Sequence, residues 1–181
     1  ATPYNTNKGA WKMVNVDPPS AAARTDYAVN GGDYKGAGSE PANESKALAF
    51  KVDPLVSGLV YPLSMMKIAM IYDGTTSTLL IGEKYLDPNY APTGADGGDN
   101  QPMYQGWDVD TSRFTNNDYG QMQQDMSGWT NINIYGSAHP NAMNAAFCDG
   151  SVRQVNYTID STVFKNLGNR KDGAIINTSS F

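Results

Sequence analysis

The stretch Asn144-Ala145-Ala146-Phe147-Cys148-Asp149-Gly150-Ser151-Val152-Arg153 sets an Asp-Gly pair between two strand-like runs. Such a pair is a strong hairpin signal, because a two-residue type I′ turn needs positive φ at both central positions. Ala145 and Phe147 before the turn, and Val152 or Arg153, Val155 and Tyr157 after it, supply the apolar alternation. Paired antiparallel strands are therefore expected near 144–148 and 151–157. Upstream lies Gly136-Ser137-Ala138-His139-Pro140, which carries the one histidine of the chain, and nine residues separate His139 from Asp149.

Around this hairpin the chain is polar and rich in turn formers. Of its 181 residues 18 are Gly and 10 Pro, and 40% are apolar, which favours many turns and short strands over long helices. The length suits one domain, 1–181, large enough to bury its own core. A net charge of −5 argues against nucleic acid as a partner, since a row of phosphates needs a basic surface. Cys148 is alone, so no internal disulfide forms, and in a strand it reads as a small buried hydrophobe. The most apolar stretch, Leu55 to Tyr72, is broken by Pro62 and Lys67, so no membrane span is expected. The chain opens at Ala1-Thr2-Pro3-Tyr4 with neither initiator Met nor secretion signal. It is expected to be a processed product or the C-terminal part of something longer.

Residues 1–46 read as mostly coil, with Pro18-Pro19, a helical turn around Ala21–Tyr27 and a Gly-rich tract from Gly31 to Gly38. Leu48–Val52 and Leu59–Tyr61 read as short strands, and Met65–Tyr72 is ambiguous between helix and strand. Asp73-Gly74 marks a turn before a buried strand at Thr78–Tyr85. Residues 87–131 form a long Asp-, Asn- and Gly-rich insertion; a loop of that length is functional or held by something. Ile132–Tyr135 and the hairpin resume the sheet. Ser161–Leu167 is expected as a short helix capped by Asp160 or Ser161.

Asp73-Gly74-Thr75-Thr76-Ser77-Thr78-Leu79-Leu80-Ile81-Gly82-Glu83-Lys84-Tyr85 resembles the DGTSNTLLVGEKY block of a large, planctomycete-rich family of pilin-like proteins. These are the prepilin-type processing-associated proteins, known by a His, nine residues and Asp-Gly, a pattern that His139, Asp149 and Gly150 match. Gly97-Gly98-Asp99-Asn100, Met103-Tyr104-Gln105-Gly106 and Leu167-Gly168-Asn169-Arg170-Lys171-Asp172-Gly173 match as well. The likeness covers roughly residues 16 to 181. Pro140-Asn141-Ala142-Met143 stands where the family usually places glycines, so a stiffer loop after the histidine is expected. The resemblance implies an α+β fold: a mainly antiparallel sheet of a type IV pilin- or pseudopilin-like globular domain with long loops, the N-terminal helix being absent from this chain. It implies export to an extracytoplasmic location and assembly with other pilin-like subunits, through that helix, into a surface filament or a type II secretion pseudopilus. It brings no enzymatic activity.

The acidic residues carry a separate expectation. Asp96, Asp99, Asn100, Asp108 and Asp110 lie within fifteen residues, among Gly94, Gly97, Gly98 and Gly106. Hard oxygen ligands on a flexible backbone suit Ca²⁺, although their order does not match an EF-hand. By analogy, pseudopilins as a class hold Ca²⁺ in a C-terminal loop. The other reading is solvated acids and Asx-turns in a surface loop. His139 lacks the partners of a metal or catalytic site and reads as structural, bonded to the Asp149 turn or the preceding strand. Glu83 reads as a surface partner of Arg153 or Arg170. The alternative function is extracytoplasmic carbohydrate binding or processing. Trp107, Trp129, Tyr104 and Tyr119 lie among Asp108, Asp110, Asp118 and Asp125, and glycosidases work with two carboxylates about 5–10 Å apart.

Overall fold

The computed structural model describes residues 3–5, 20–33 and 44–177. The expected coil at Pro18-Pro19 and most of the Gly-rich tract lie outside them. Among the described residues, nine strands and two α-helices follow in order: β1 (Tyr4–Asn5), β2 (Ala21–Ala22), β3 (Tyr27–Asn30), α1 (Glu44–Ala49), β4 (Leu79–Glu83), β5 (Ser112–Arg113), β6 (Gln123–Gln124), β7 (Gly136–Ser137), β8 (Ala142–Phe147), β9 (Val152–Asn156) and α2 (Ser161–Gly168). Short 3₁₀ turns stand at Ile68–Met70 and Asn117–Tyr119. No helix among the described residues is long and apolar enough to cross a membrane.

The main sheet has the order β5-β3-β4-β8-β9. The β8–β9 hairpin forms where the Asp-Gly signal places it, with Ala146 opposite Val152 and Ala142 opposite Asn156. Its turn differs from the two-residue expectation. Phe147 accepts from Gly150 N–H, Phe147 N–H donates to Ser151 O, and Gly150 takes the positive φ of 84° while Asp149 does not. That is a three-residue loop ending in a glycine bulge. Asp149 Oδ1 accepts from Ser151 N–H at 2.9 Å and braces the turn. Asn141, in the loop before β8, takes φ 70°, a left-handed conformation that asparagine tolerates in place of glycine.

The main sheet is mixed but mostly antiparallel, as expected: three of its four strand pairings are antiparallel and one is parallel. β3 pairs antiparallel with β4 but parallel with β5, and β6–β7 is a second parallel pair. Three expectations fail locally. Ala21–Tyr27 is not a helical turn but enters β2 and β3, and Leu48–Val52 is not a strand. Glu44–Ala49 contains good helix formers and winds into α1, with Leu48 exposed. Leu59–Tyr61 also forms no strand; Leu59 and Val60 N–H instead donate to Asn30 O at the end of β3.

Leu79, Met143, Ala145, Phe147 and Val155 of the sheet, with Tyr135, pack against Phe164 and Leu167 of α2. Burying each such side chain contributes about 1.5–3 kcal/mol. Asp160 caps α2, accepting from Thr162 and Val163 N–H, as one of the two expected caps. Asn30 is wholly buried and joins three segments: its amide donates to Leu79 O at 2.7 Å and Gly168 O at 3.0 Å, and its Oδ1 accepts from Gly32 N–H. A register shift between Leu79 and Ile81 bulges β4. Beyond it Gly82 and Lys84 take the buried positions.

Candidate functional site

Two features gather the polar groups: the root of the long loop, centred on Lys84, and a cleft beside Glu83. Lys84 follows β4 directly and its Nζ donates to Gly98 O, Asp99 Oδ1 and Asp110 O, each at 2.8 Å. Three acceptors match the three protons of an ammonium. Burial lowers the pKa of Lys84 and raises that of Asp99, while their mutual attraction opposes both shifts. Arg113 of β5 is fully buried and donates to Val109 O, to Ser112 O at 3.0 Å and to Gly98 O at 3.2 Å. Burial pulls it down to about 10 against the pull of Asp110 and Asp96.

The five residues expected to hold Ca²⁺ lie along this loop, and four of them are engaged within the chain. Asp96 accepts from Asp87 N–H at 2.9 Å and Gly98 N–H at 2.8 Å. Asp99 faces Lys84. Asp108 accepts from Asp110 N–H at 3.1 Å, and Asp110 from Gln101 N–H at 2.7 Å. Asn100 is exposed. Among the described residues no three His, Cys, Asp or Glu side chains come together to hold a metal ion. Burial, with the neighbouring Asp108, pushes Asp110 up to about 7. A further acid, Asp87, is buried and accepts from Gly128 N–H, pinning the far limb of the loop.

The cleft of about 480 Å³ is lined by Asp26, Glu83, Asp125 and His139, with Leu86, Ala91, Pro92 and Ala138 as apolar walls. Glu83 Oε1 lies 3.3 Å from His139 Nε2, and Glu83 Oε2 accepts from Asn144 N–H at 2.6 Å. His139 thus meets β4 rather than the Asp149 turn. Its N–H donates to Ser137 Oγ and its carbonyl accepts from Tyr157 Oη. Glu83 meets neither arginine expected for it. Arg153 pairs with Asp149 and covers the Phe147 ring, whereas Arg170 donates to Val56 O and Gly58 O. Burial pushes Asp125 up to about 6, with Asp96, Glu83 and Asp26 adding to the effect. The cleft suits a cationic or hydroxyl-bearing ligand, and Asp125 can exchange a proton near neutral pH.

Three of the four aromatic residues of the carbohydrate reading pack on other aromatic rings of the chain. Trp129 meets Tyr85 edge-on at 5.0 Å, and Trp107 and Tyr119 each pack on Phe114. Tyr104 is exposed. Cys148 is half-buried, and burial pushes its thiol up to about 11.

The blocks named in the sequence bind one another. Asp73 accepts from Asp172 and Gly173 N–H. Thr78 O accepts from Cys148 N–H, Thr75 O from Asp149 N–H, and Thr76 O from Arg153. Glu83 reaches His139, and Lys84 reaches Gly98 and Asp99. Sequence reasoning missed Lys84, Arg113, Asp26 and Asp87 as members of these sites, and placed Asp125 only among candidate sugar-binding acids. The available signal was a charged residue at the inward phase of the apolar run Leu79–Tyr85, which has to find acceptors once buried.

The chain matches the family described as protein of unknown function DUF1559 over residues 13–162. It belongs to that family, which is associated with planctomycete-type pilin-like proteins. No curated protein matches the chain, and no solved structure matches it.

Proposed function

We propose that the chain is the type IV pilin- or pseudopilin-like globular part of a structural subunit, main or minor, of an extracellular filament or a type II secretion-like pseudopilus. The observation that carries this reading is where the motif residues spend their bonds. Asp73, Glu83, Lys84, Asp99, His139 and Asp149 bond to other parts of the same chain. That pattern supports a rigid building block over a catalyst. Export to the cell surface and assembly with other pilin-like subunits belong to the same reading. Its test is to tag the full-length protein in its native cell, label intact cells with antibody and image sheared surface material by electron microscopy. Labelled filaments, or co-purified pilin-like subunits, are expected. Labelling confined to the cytoplasm overturns the reading.

The cleft favours a second reading, an extracytoplasmic carbohydrate-binding or carbohydrate-processing protein. It rests on Asp125 and Glu83 sharing a 480 Å³ space with apolar walls. A glycan array and a hydrolysis screen, each with Asp125→Asn as control, test it. Calcium on the 96–110 loop is a separate proposal drawn from the donor types alone; a higher melting temperature in millimolar Ca²⁺ than in chelator supports it, and superimposed curves overturn it.

A further inference from the structure

Lys84 and Asp99 meet where solvent does not reach. Their side chains are 1% and 0% exposed, and Nζ lies 2.8 Å from Oδ1. The second carboxylate oxygen, Oδ2, is buried with no hydrogen-bond partner. An interior carboxylate oxygen without a partner carries a desolvation penalty that no hydrogen bond of its own offsets. The contact to Oδ1 leaves Nζ at most one carbon–oxygen bond further from Cγ. An amine and a carboxyl are thus held together in a dry site, where proximity replaces a bimolecular encounter and no water competes for the carbon.

We propose that Lys84 and Asp99 condense into an intramolecular isopeptide bond, Nζ to Cγ, which locks the root of the long loop to the end of β4. The ammonium first passes a proton to the carboxylate, leaving an amine and a carboxylic acid. The Nζ lone pair then attacks Cγ and forms the new N–C bond. The Cγ–O bond breaks with its electron pair on the hydroxyl, which takes a second Nζ proton and leaves as water. The balance needs no oxidant, metal or nucleotide. Asp110 holds Nζ in place through its main-chain carbonyl, while its own buried carboxyl accepts from Gln101 N–H.

The product leaves the neighbours satisfied. The amide keeps one N–H, enough for Asp110 O, while Gly98 O retains Arg113 Nη2 at 3.2 Å. Two buried charges disappear, and a neutral amide oxygen replaces the unpartnered carboxylate oxygen at lower cost.

Intact-mass spectrometry of the purified wild-type chain tests the bond. The expected mass is one water below that of the sequence. The chain also has four Asp-Gly pairs, which lose water as succinimides, so the deficit has to be placed. Tryptic mapping of the wild type is expected to show no cut after Lys84 and a branched peptide joining residues 84 and 99. Lys84→Arg, which keeps the cation but has no attacking amine, is expected to return to the sequence mass. A wild-type chain at full sequence mass, or a water deficit mapped to an Asp-Gly pair, overturns the proposal. The wild-type map decides alone if Lys84→Arg does not fold.

Discussion

Gly150 turns the corner between β8 and β9 at φ 84°, with open space where a Cβ would stand. A side chain there meets no clash, so any loss measures backbone strain alone. Gly150→Val is expected to cost roughly 1–3 kcal/mol, and Gly150→Asn well under that, because asparagine tolerates the left-handed region. Urea unfolding of both variants checks this; equal losses would show that φ does not set the cost. Two acids give a second expectation at this scale. Burial is the leading cause that holds Asp110 up to about 7 and Asp125 up to about 6, whereas an unfolded aspartate ionises near about 4. The folded chain keeps these protons longer than the unfolded one. Their ionisation therefore lowers stability as pH rises from about 4 to about 7. Asp110→Asn keeps an oxygen for Gln101 N–H and removes one titration. Its stability relative to wild type is expected to rise between about pH 5 and about pH 7.5 in denaturant titrations, and a constant difference would contradict that origin.

The long loop behaves as an element built from charge. Its acids receive backbone N–H groups, and its root closes on Lys84 and Arg113, so burial of apolar side chains plays a smaller part there than in the sheet. Removing one member of a buried pair leaves the other uncompensated, at about 3–5 kcal/mol. Lys84→Met is expected to lose at least that much in guanidinium unfolding, because it strands the buried Asp99 carboxylate and also removes the proposed cross-link, and Lys84→Met with Asp99→Leu to recover the part owed to the stranded carboxylate. A double variant no better than the single would show that the Gly98 and Asp110 carbonyls, not Asp99, dominate. Elements with local causes were legible in the sequence. The β8–β9 hairpin follows from alternation about one glycine, α2 from its Asp160 cap, and β4 from an apolar run. The β3–β5 pair was not legible, because Ser112-Arg113 has no strand period and its partner Val29 lies far back in the chain. The Lys84 centre was hidden for a related reason. Spacing shows which acids are near in sequence, but not that a lysine from a different block would rise between them. The cleft was half visible: His139 and Glu83 stood out separately, and only the β4–β8 register brings them together.

Across the whole molecule, the apolar surface is unevenly distributed. Leu63, Met65, Ile68, Met70 and Tyr72 are exposed within ten consecutive residues, Met65 at 85% and Ile68 at 76%. The segment is tied down at both ends, by Ser64 N–H to Tyr61 O and by Tyr72 N–H to Arg170 O at 2.8 Å. Its side chains nevertheless face away from the core. A solvated face of this composition marks a contact surface more often than a monomer's ordinary skin. Under the proposed filament role, such a segment would supply contact beyond any terminal helix. Met65→Glu with Ile68→Glu in the full-length protein is therefore expected to leave the melting temperature within about 2 °C of wild type, since neither side chain supports the core. The same variant is expected to lose surface filaments or co-purified subunits. The isolated 181-residue chain is expected to scatter light as a monomer or a weak associator, because the few exposed apolar side chains of one segment fall short of the roughly 20–30 residues a side of a stable interface. Stable filaments grown from that chain alone, or normal filaments from the double glutamate variant, would place the assembly surface elsewhere on the molecule, with β9, last in the strand order of the main sheet, the next segment to mutate.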